Sequence, residues 1–368
     1  MYYLFKWEVA PDMNDKDYAV VVGISKYGSI KPELIGPEKD AQTFYDWLIS
    51  PTGGDLPESN VGKVLSSLYA KANTSLNGDV FGYEPTLVRV NAAFAKLISV
   101  TVKNSQKAPR VGRRLYIYLS GHGITPRSDP NTSINLSGLL MANCVEDVIY
   151  DYVSGQAYAE WFRLSHGFDE ILLFMDCCRT DKPEIPPQTI TTPVVQGGRV
   201  NDVKFFYAWA TQWDTLAFEQ PLGVPPEPRG VFSYALMEAL RAGPTDAQGQ
   251  LTPKGIVGHL AIRIPQLRNG DGSQRPQFYP PEPDGRIVIV PKLQPLANPN
   301  LIFEFKQPLW GQQVELQDGS FTSMGLHTAD KDPWRLTVKP GAYVLRVGGT
   351  DRSYSVRPAE VKEVTVDA

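Results

Sequence analysis

The chain has 368 residues, 42% of them hydrophobic, and a formal net charge of −4. That is enough apolar material for a large core, and the length predicts about two domains. The charge is spread along the chain without the concentrated basic face that nucleic acid or an anionic membrane requires, so neither is an expected partner.

Tyr18 to Ile24 (YAVVVGI) is a short apolar, β-rich run that predicts a buried parallel strand. Lys39 to Ile49 carries apolar residues at helical spacing. Val61 to Leu68 predicts a second strand. Pro85 to Val102 predicts a long helix with proline in its first turn. Arg114 to Leu119 (RLYIYL) is another buried strand, and it runs straight into Ser120-Gly121-His122-Gly123. Ser154 to Leu164 predicts a helix with a serine cap. Glu170 to Met175 (EILLFM) predicts a strand that ends at Asp176-Cys177-Cys178. Asp181 to Val200, rich in proline and threonine, predicts a long flexible loop. Lys204 to Ala210 is a further strand. Ser233 to Arg241 is a helix closed by Gly243-Pro244, and Thr252 to Ile264 is another.

Strands alternating with helices imply an α/β domain: a mostly parallel sheet with helices on both faces. From Gln274 to Pro299 the chain turns proline-rich, which places a domain boundary there and predicts domains 1–294 and 295–368. The second contains short alternating segments at Leu301–Phe305, Trp334–Val338, Tyr343–Val347 and Val361–Val366. It predicts a small all-β sandwich.

There are three cysteines, Cys144, Cys177 and Cys178. Two are adjacent, so a disulfide framework is not expected and a reducing compartment fits better. The stretch MYYLFKWEVAPDMNDKD lacks a basic segment followed by an apolar run, so no signal peptide is expected. No run approaches the roughly 18 apolar residues of a membrane span. The expected location is cytoplasmic. No internal repeat is visible.

In parallel sheets, active sites lie beyond the carboxyl ends of the strands. Two strands here end in reactive residue types, one at His122 and the other at Cys178. If the strands are neighbours, both side chains reach the same rim. A cysteine attacks as thiolate and needs a base beside it, and histidine titrates near neutrality. Alternation along a strand points Asp176 and Cys178 the same way and Cys177 the other, which makes Cys178 the candidate nucleophile and His122 its base. The glycines flanking His122 let a substrate backbone come close. The amides of Gly123 and Cys178 are candidates for an oxyanion site. His166, His259, His327 and Cys144 lie in no comparable context. No Cys/His set has zinc spacing, and no glycine-rich phosphate loop follows the first strand.

The segments YAVVVGISKY, LIGPEKDA, YIYLSGHG, LLFMDCCR and GVFSYALMEAL occur in this order over about Asp17 to Val290. Together they resemble the caspase, metacaspase and paracaspase superfamily, in which the histidine precedes the cysteine by roughly 50 residues. The resemblance implies a caspase-like fold and a Cys–His endopeptidase using Cys178 and His122. The chain looks closer to metacaspases and bacterial caspase-like proteins than to animal caspases, because Asp176 stands where animal caspases have glutamine. By resemblance to metacaspases, Asp40, Ser120 and Asp176 form an acidic pocket for the side chain before the cut. Pro37 stands where the family has cysteine. Two carboxylates in such a pocket favour Arg or Lys.

The resemblance also implies protein substrates and control by loop cleavage or by an activating or inhibiting protein partner. The loop after Cys178 offers Lys182 and Arg199 as points of self-cleavage. Calcium as an activator is a further implication. No ligand array of the EF-hand kind is visible, and no metal or other cofactor is assigned. A bacterial defence or cell-death setting belongs to the same resemblance. Two other classes compete. A scaffold or sensor could keep the fold without turnover. A serine hydrolase would need a G-x-S-x-G elbow, and Gly23-Ile24-Ser25-Lys26-Tyr27 lacks the closing glycine.

Overall fold

The structure, a computed structural model, describes residues 14–74, 78–102, 110–126, 137–148, 150–186, 188, 190, 200–223, 225–246, 248–291, 300–331, 333–336, 338–357 and 360–367. Two compact units divide the chain: Met1–Met237 with Leu260–Ile287, and Glu238–His259 with Val288–Ala368. The boundary expected at 294/295 falls on residues outside the described ones.

The elements run β1 (Asp17–Gly23), α1 (Gly36–Ile49), β2 (Val61–Leu65), α2 (Ala70–Thr74), α3 (Leu87–Val102), β3 (Arg114–Ser120), β4 (Gly123–Pro126), β5 (Gly138–Leu140), β6 (Tyr152–Val153) and α4 (Gly155–Leu164). They continue with β7 (Glu170–Asp176), β8 (Thr180–Lys182), β9 (Lys204–Trp209), β10 (Glu219–Leu222), β11 (Glu227–Gly230), α5 (Val231–Ala242), α6 (Pro253–Leu267) and β12 (Gln277–Tyr279). The C-terminal strands are β13 (Leu301–Phe305), β14 (Gln313–Asp318), β15 (Ser323–Thr328), β16 (Trp334–Leu336), β17 (Gly341–Val347), β18 (Thr350–Val356) and β19 (Lys362–Val366).

The first unit is built on a six-stranded sheet of order β12-β9-β7-β3-β1-β2. All neighbours are parallel except β12, which closes one edge antiparallel to β9. Every residue of β3 and β7 is buried, as a central parallel strand covered on both faces must be. The two faces divide by strand alternation. Leu115, Ile117 and Leu119 pack into a core shared with Phe94 of α3 and Phe162 of α4. Tyr116 and Tyr118 turn the other way. There Phe44 of α1 stacks on Tyr118 at 4.6 Å and meets Phe174 of β7 edge-on at 5.8 Å. Ser154 caps α4 by accepting a hydrogen bond from the Ala157 amide at 3.2 Å.

A second sheet of order β6-β5-β4-β8 grows from the carboxyl ends of β3 and β7. Strand was not expected at β8. The loop predicted from Asp181 begins as a strand because β4 offers it a parallel edge, pairing Ile124 with Thr180 and Pro126 with Lys182. Much of the remaining loop, Arg199 included, lies outside the described residues. Helix α1 starts at Gly36, three residues before the apolar periodicity begins, with Pro37 in its first turn.

In the second unit two sheets enclose one apolar core. One is β16-β13-β19, with β13 and β19 parallel, and the other is the antiparallel β15-β14-β17-β18. Phe303, Leu316, Leu345 and Val366 come from both sheets, giving the expected sandwich. No described helix is long and apolar enough to cross a membrane.

Phe44 is fully buried in this aromatic stack. Phe44→Ala should cost about 3–5 kcal/mol of stability, as for other buried aromatic truncations. A urea midpoint within error of wild type would show that α1 is not held by the stack.

Candidate active site

Strands β3 and β7 leave the main sheet side by side, with Ser120 opposite Asp176. Their continuations pair again a few residues later, where Ile124 of β4 lies opposite Thr180 of β8. The offset between partners is 56 residues in the first ladder, and the same offset holds in the second. It also separates His122 from Cys178, so the two side chains occupy matched positions on parallel paths between two ladders. Gly121 makes this passage with φ +154, and its amide donates to the Asp176 carbonyl at 3.2 Å. A Cβ on Gly121 would lie 2.5 Å from the Tyr27 hydroxyl. A Cβ on Gly123 would lie 2.4 Å from the Cys178 carbonyl oxygen and 2.7 Å from the Cys177 sulfur. Only glycine lets the two segments approach so closely.

His122 is held on three sides. Its backbone amide donates to the Tyr27 hydroxyl at 2.9 Å. The Tyr27 ring meets the imidazole edge-on at 4.9 Å. Its Nε2 lies 2.9 Å from the Pro32 carbonyl oxygen. A carbonyl can only accept, so Nε2 carries a proton and Nδ1 keeps the lone pair of the neutral ring. The thiol of Cys178 donates to the Ala217 carbonyl at 3.6 Å. Burial pushes the His122 pKa down against the pull of the Pro32 carbonyl and Glu219. Burial pushes the Cys178 thiol up, and the Asp176 charge pushes it further. Both shifts favour a neutral imidazole beside a neutral thiol.

A cavity of about 540 Å³ opens at this point. It is lined by His122, Gly123 and Cys178, and also by Asp40, Ser120 and Asp176. The convergence follows from the alternation of the strands. Ser120 and Asp176 share the sheet face of Tyr118 and Phe174, where α1 brings Asp40. Asp176 accepts two hydrogen bonds on one oxygen, from the Ser233 amide at 3.1 Å and the Ser233 hydroxyl at 2.6 Å. Burial raises the Asp40 carboxyl to about 7 and that of Asp176 to about 6. Cys177, only 2% exposed, packs into the apolar core, and burial drives its thiol well above the usual range. Cys144 is fully buried, and burial raises it to about 12. None of the three cysteines is in a disulfide. Among the described residues, no three His, Cys, Asp or Glu side chains gather as a metal-holding group.

Sequence reading missed several parts of the site. Glu219, at the start of β10, also lines the cavity and accepts hydrogen bonds from the Ile35 and Gly36 amides at the start of α1. The Pro32 and Ala217 carbonyls are backbone groups that carry no side-chain signature. Tyr27 does stand in the GISKY segment, where an aromatic next to the first strand end was the available signal.

Residues 16–282 match the family model described as the caspase domain. A probable protease of a Desulfuromonadales bacterium is 26% identical over 228 residues, covering 62% of this chain and 23% of that protein. The chain thus matches less than a quarter of that relative's length. Among solved structures, a protein from Geobacter sulfurreducens aligns with TM-score 0.41 and 13% identity over 72% of this chain and 92% of its own. Caspase-1 from Spodoptera frugiperda aligns with TM-score 0.38 and 13% identity over 75% and 93%.

The shifts of His122 and Cys178 predict a thiol that is protonated at rest. Alkylation of Cys178 by iodoacetamide should be slow near neutral pH and climb as the pH passes 9, the ordinary value that burial exceeds here. A rate already on its plateau in mild acid would show a preformed thiolate–imidazolium pair instead.

Proposed function

The chain belongs to the caspase-domain peptidase family, and from that membership we propose that it is a cysteine endopeptidase that cuts proteins after Arg or Lys. The observation that carries the proposal is the matched placement of His122 and Cys178 at the mouth of a cavity that also holds buried carboxylates. In this scheme Nδ1 of His122 takes the Cys178 proton as the sulfur attacks the scissile carbonyl carbon. The carbonyl oxygen becomes an oxyanion facing the amides of Gly123 and Cys178. His122 returns the proton to the leaving amine, and water then hydrolyses the thioester with His122 again as base. The Pro32 carbonyl supports the doubly protonated ring in each step, in the role of the third group that orients a catalytic base.

The acidic cavity supports the basic preference. Carboxylates in a narrow, partly dry site bind a guanidinium or ammonium more strongly than in water. Loop cleavage belongs to the same proposal. Lys182 sits in β8 and would have to leave the β4 edge to be cut.

Among peptides differing only in the residue before the cut, Arg and Lys should be cleaved and Asp left intact. Cys178→Ala and His122→Ala should each lower kcat by roughly 10³-fold or more, as loss of a member of a catalytic unit does, and Cys177→Ala should leave a cleaving enzyme. A preference for Asp would overturn the basic pocket. Absence of cleavage by purified chain before and after loop nicking would favour the silent scaffold.

The pH profile separates pocket from dyad. Asp176 has a raised pKa of about 6, so it is neutral below that value and charged above it. KM for an Arg peptide should therefore rise as the pH falls through 6. For a neutral residue in the same place, KM should stay flat. Equal pH dependence for both peptides would remove Asp176 from the pocket.

A further inference from the structure

The hairpin β10–β11 and helix α1 are joined by alternating charges. Glu219 accepts from the first amides of α1, Glu227 pairs with Lys39 at 3.0 Å, and Arg229 pairs with Asp40. The last contact bears on the pocket. Asp40 is 1% exposed, and both of its oxygens already have protein donors. Oδ1 accepts from Nε of Arg229, and Oδ2 accepts from the Gly230 amide at 2.7 Å. The guanidinium is fixed further by a bond from Nη2 to the Thr43 hydroxyl at 3.0 Å. Arg229 is not among the residues lining the cavity; it lies behind Asp40, in a separate depression shared with Lys39, Thr43 and Glu227. Gly230 passes between the two aspartates. A Cβ there would lie 2.2 Å from Oδ2 of Asp176 and 3.1 Å from Oδ2 of Asp40.

Resting on the basic-residue preference proposed above, we propose that Arg229 determines how that preference is read: it cancels the charge of Asp40 from behind, so that Asp40 forms a neutralised floor while Asp176 meets the incoming cation. Arg229 is thus a positioning residue, acting on substrate only through Asp40. The alternative is that Asp40 bonds the substrate directly. Two observations set the balance. Asp176 receives both Ser233 bonds on one oxygen, and its other oxygen has no protein donor among the described residues. The acceptor capacity of Asp40 is already committed to two donors, and a charge-assisted pair of this kind is not broken without cost. Burial also pulls Asp40 toward the neutral acid, and the Arg229 charge opposes that pull. Removing Arg229 would therefore raise the Asp40 pKa further and shift it to the neutral acid. Removing Asp40 would instead leave a bare cation behind the pocket.

The test is a double-mutant cycle on the full chain. Wild type, Asp40→Asn, Arg229→Gln and the double variant are assayed on peptides that differ only in having Arg or its neutral isostere citrulline before the cut. KM and kcat are read separately. Asp40→Asn should raise KM for the Arg peptide about tenfold or more, the scale of one charge-assisted hydrogen bond, with little change in kcat or on citrulline. Arg229→Gln alone should cost less than Asp40→Asn, and adding it to Asp40→Asn should restore most of the lost affinity. A double variant as poor as Asp40→Asn would show that Asp40 touches the substrate, and would overturn the role of Arg229 while leaving the basic preference intact. A wild type that treats Arg and citrulline alike would overturn both. The same four chains carrying Cys178→Ala are melted without substrate, where non-additive midpoints are expected and additive ones would refute the pair. Should a glutamine variant fail to fold, Arg229→Lys, which keeps the cation, is expected to behave as wild type on the Arg peptide.

Discussion

Burial of β3 and β7 on both faces is the constraint from which the site follows. A strand covered on both sides must place every backbone amide and carbonyl in a ladder, and the ladder between these two strands admits one register because slipping it would move each side chain to the other face. Once Ser120 lies opposite Asp176, the next residues have little freedom. The chain crosses at Gly121 and Cys177 and pairs again in β4 and β8. His122 and Cys178 are caught between two ladders that agree on the same offset. Their relative placement is set by hydrogen bonds of the main chain in the two flanking ladders.

The same sheet sets the electrostatics. The face that carries Tyr118 and Phe174 also carries Ser120 and Asp176, and α1 is laid on it by Phe44. Carboxyls that would sit at ease in water are thereby held where water is scarce, and their raised pKa values record that cost. The dyad is shifted by burial in the opposite sense for each partner, toward two neutral groups. The pair therefore rests uncharged beside a group of buried carboxyls. The Pro32 carbonyl fixes the tautomer of His122 and leaves Nδ1 as the ring's acceptor.

Much of this was legible in the residues. His122, Cys178, Ser120 and Asp176 stand at the ends of apolar runs, and a local pattern of that kind survives folding because the strands are local objects. Asp40 was legible through a helix-opening segment. Glu219, Arg229 and the Ala217 carbonyl were not, because a hairpin without apolar periodicity brings them in and only tertiary packing decides which helix it meets. The strands Gln313–Asp318, Ser323–Thr328 and Thr350–Val356 were missed for a related reason: their outward positions are polar or irregular, and the pattern of the sandwich core is diluted along them. At Thr180–Lys182 the predicted loop yields to a strand because a free edge lies within reach, which no window of sequence reveals.

Gly230 carries an evolutionary consequence. The narrowest point between the two aspartates is kept open by the absence of a single methyl group. Any side chain gained at position 230 would press on a carboxylate and fill the floor of the cavity, while His122, Cys178 and every strand of the sheet stayed as they are. A single substitution in the hairpin could therefore block the pocket on this scaffold without touching either residue of the His122–Cys178 pair. A descendant that had taken it would still display an intact histidine and cysteine, and counting those two residues would misjudge what it had become.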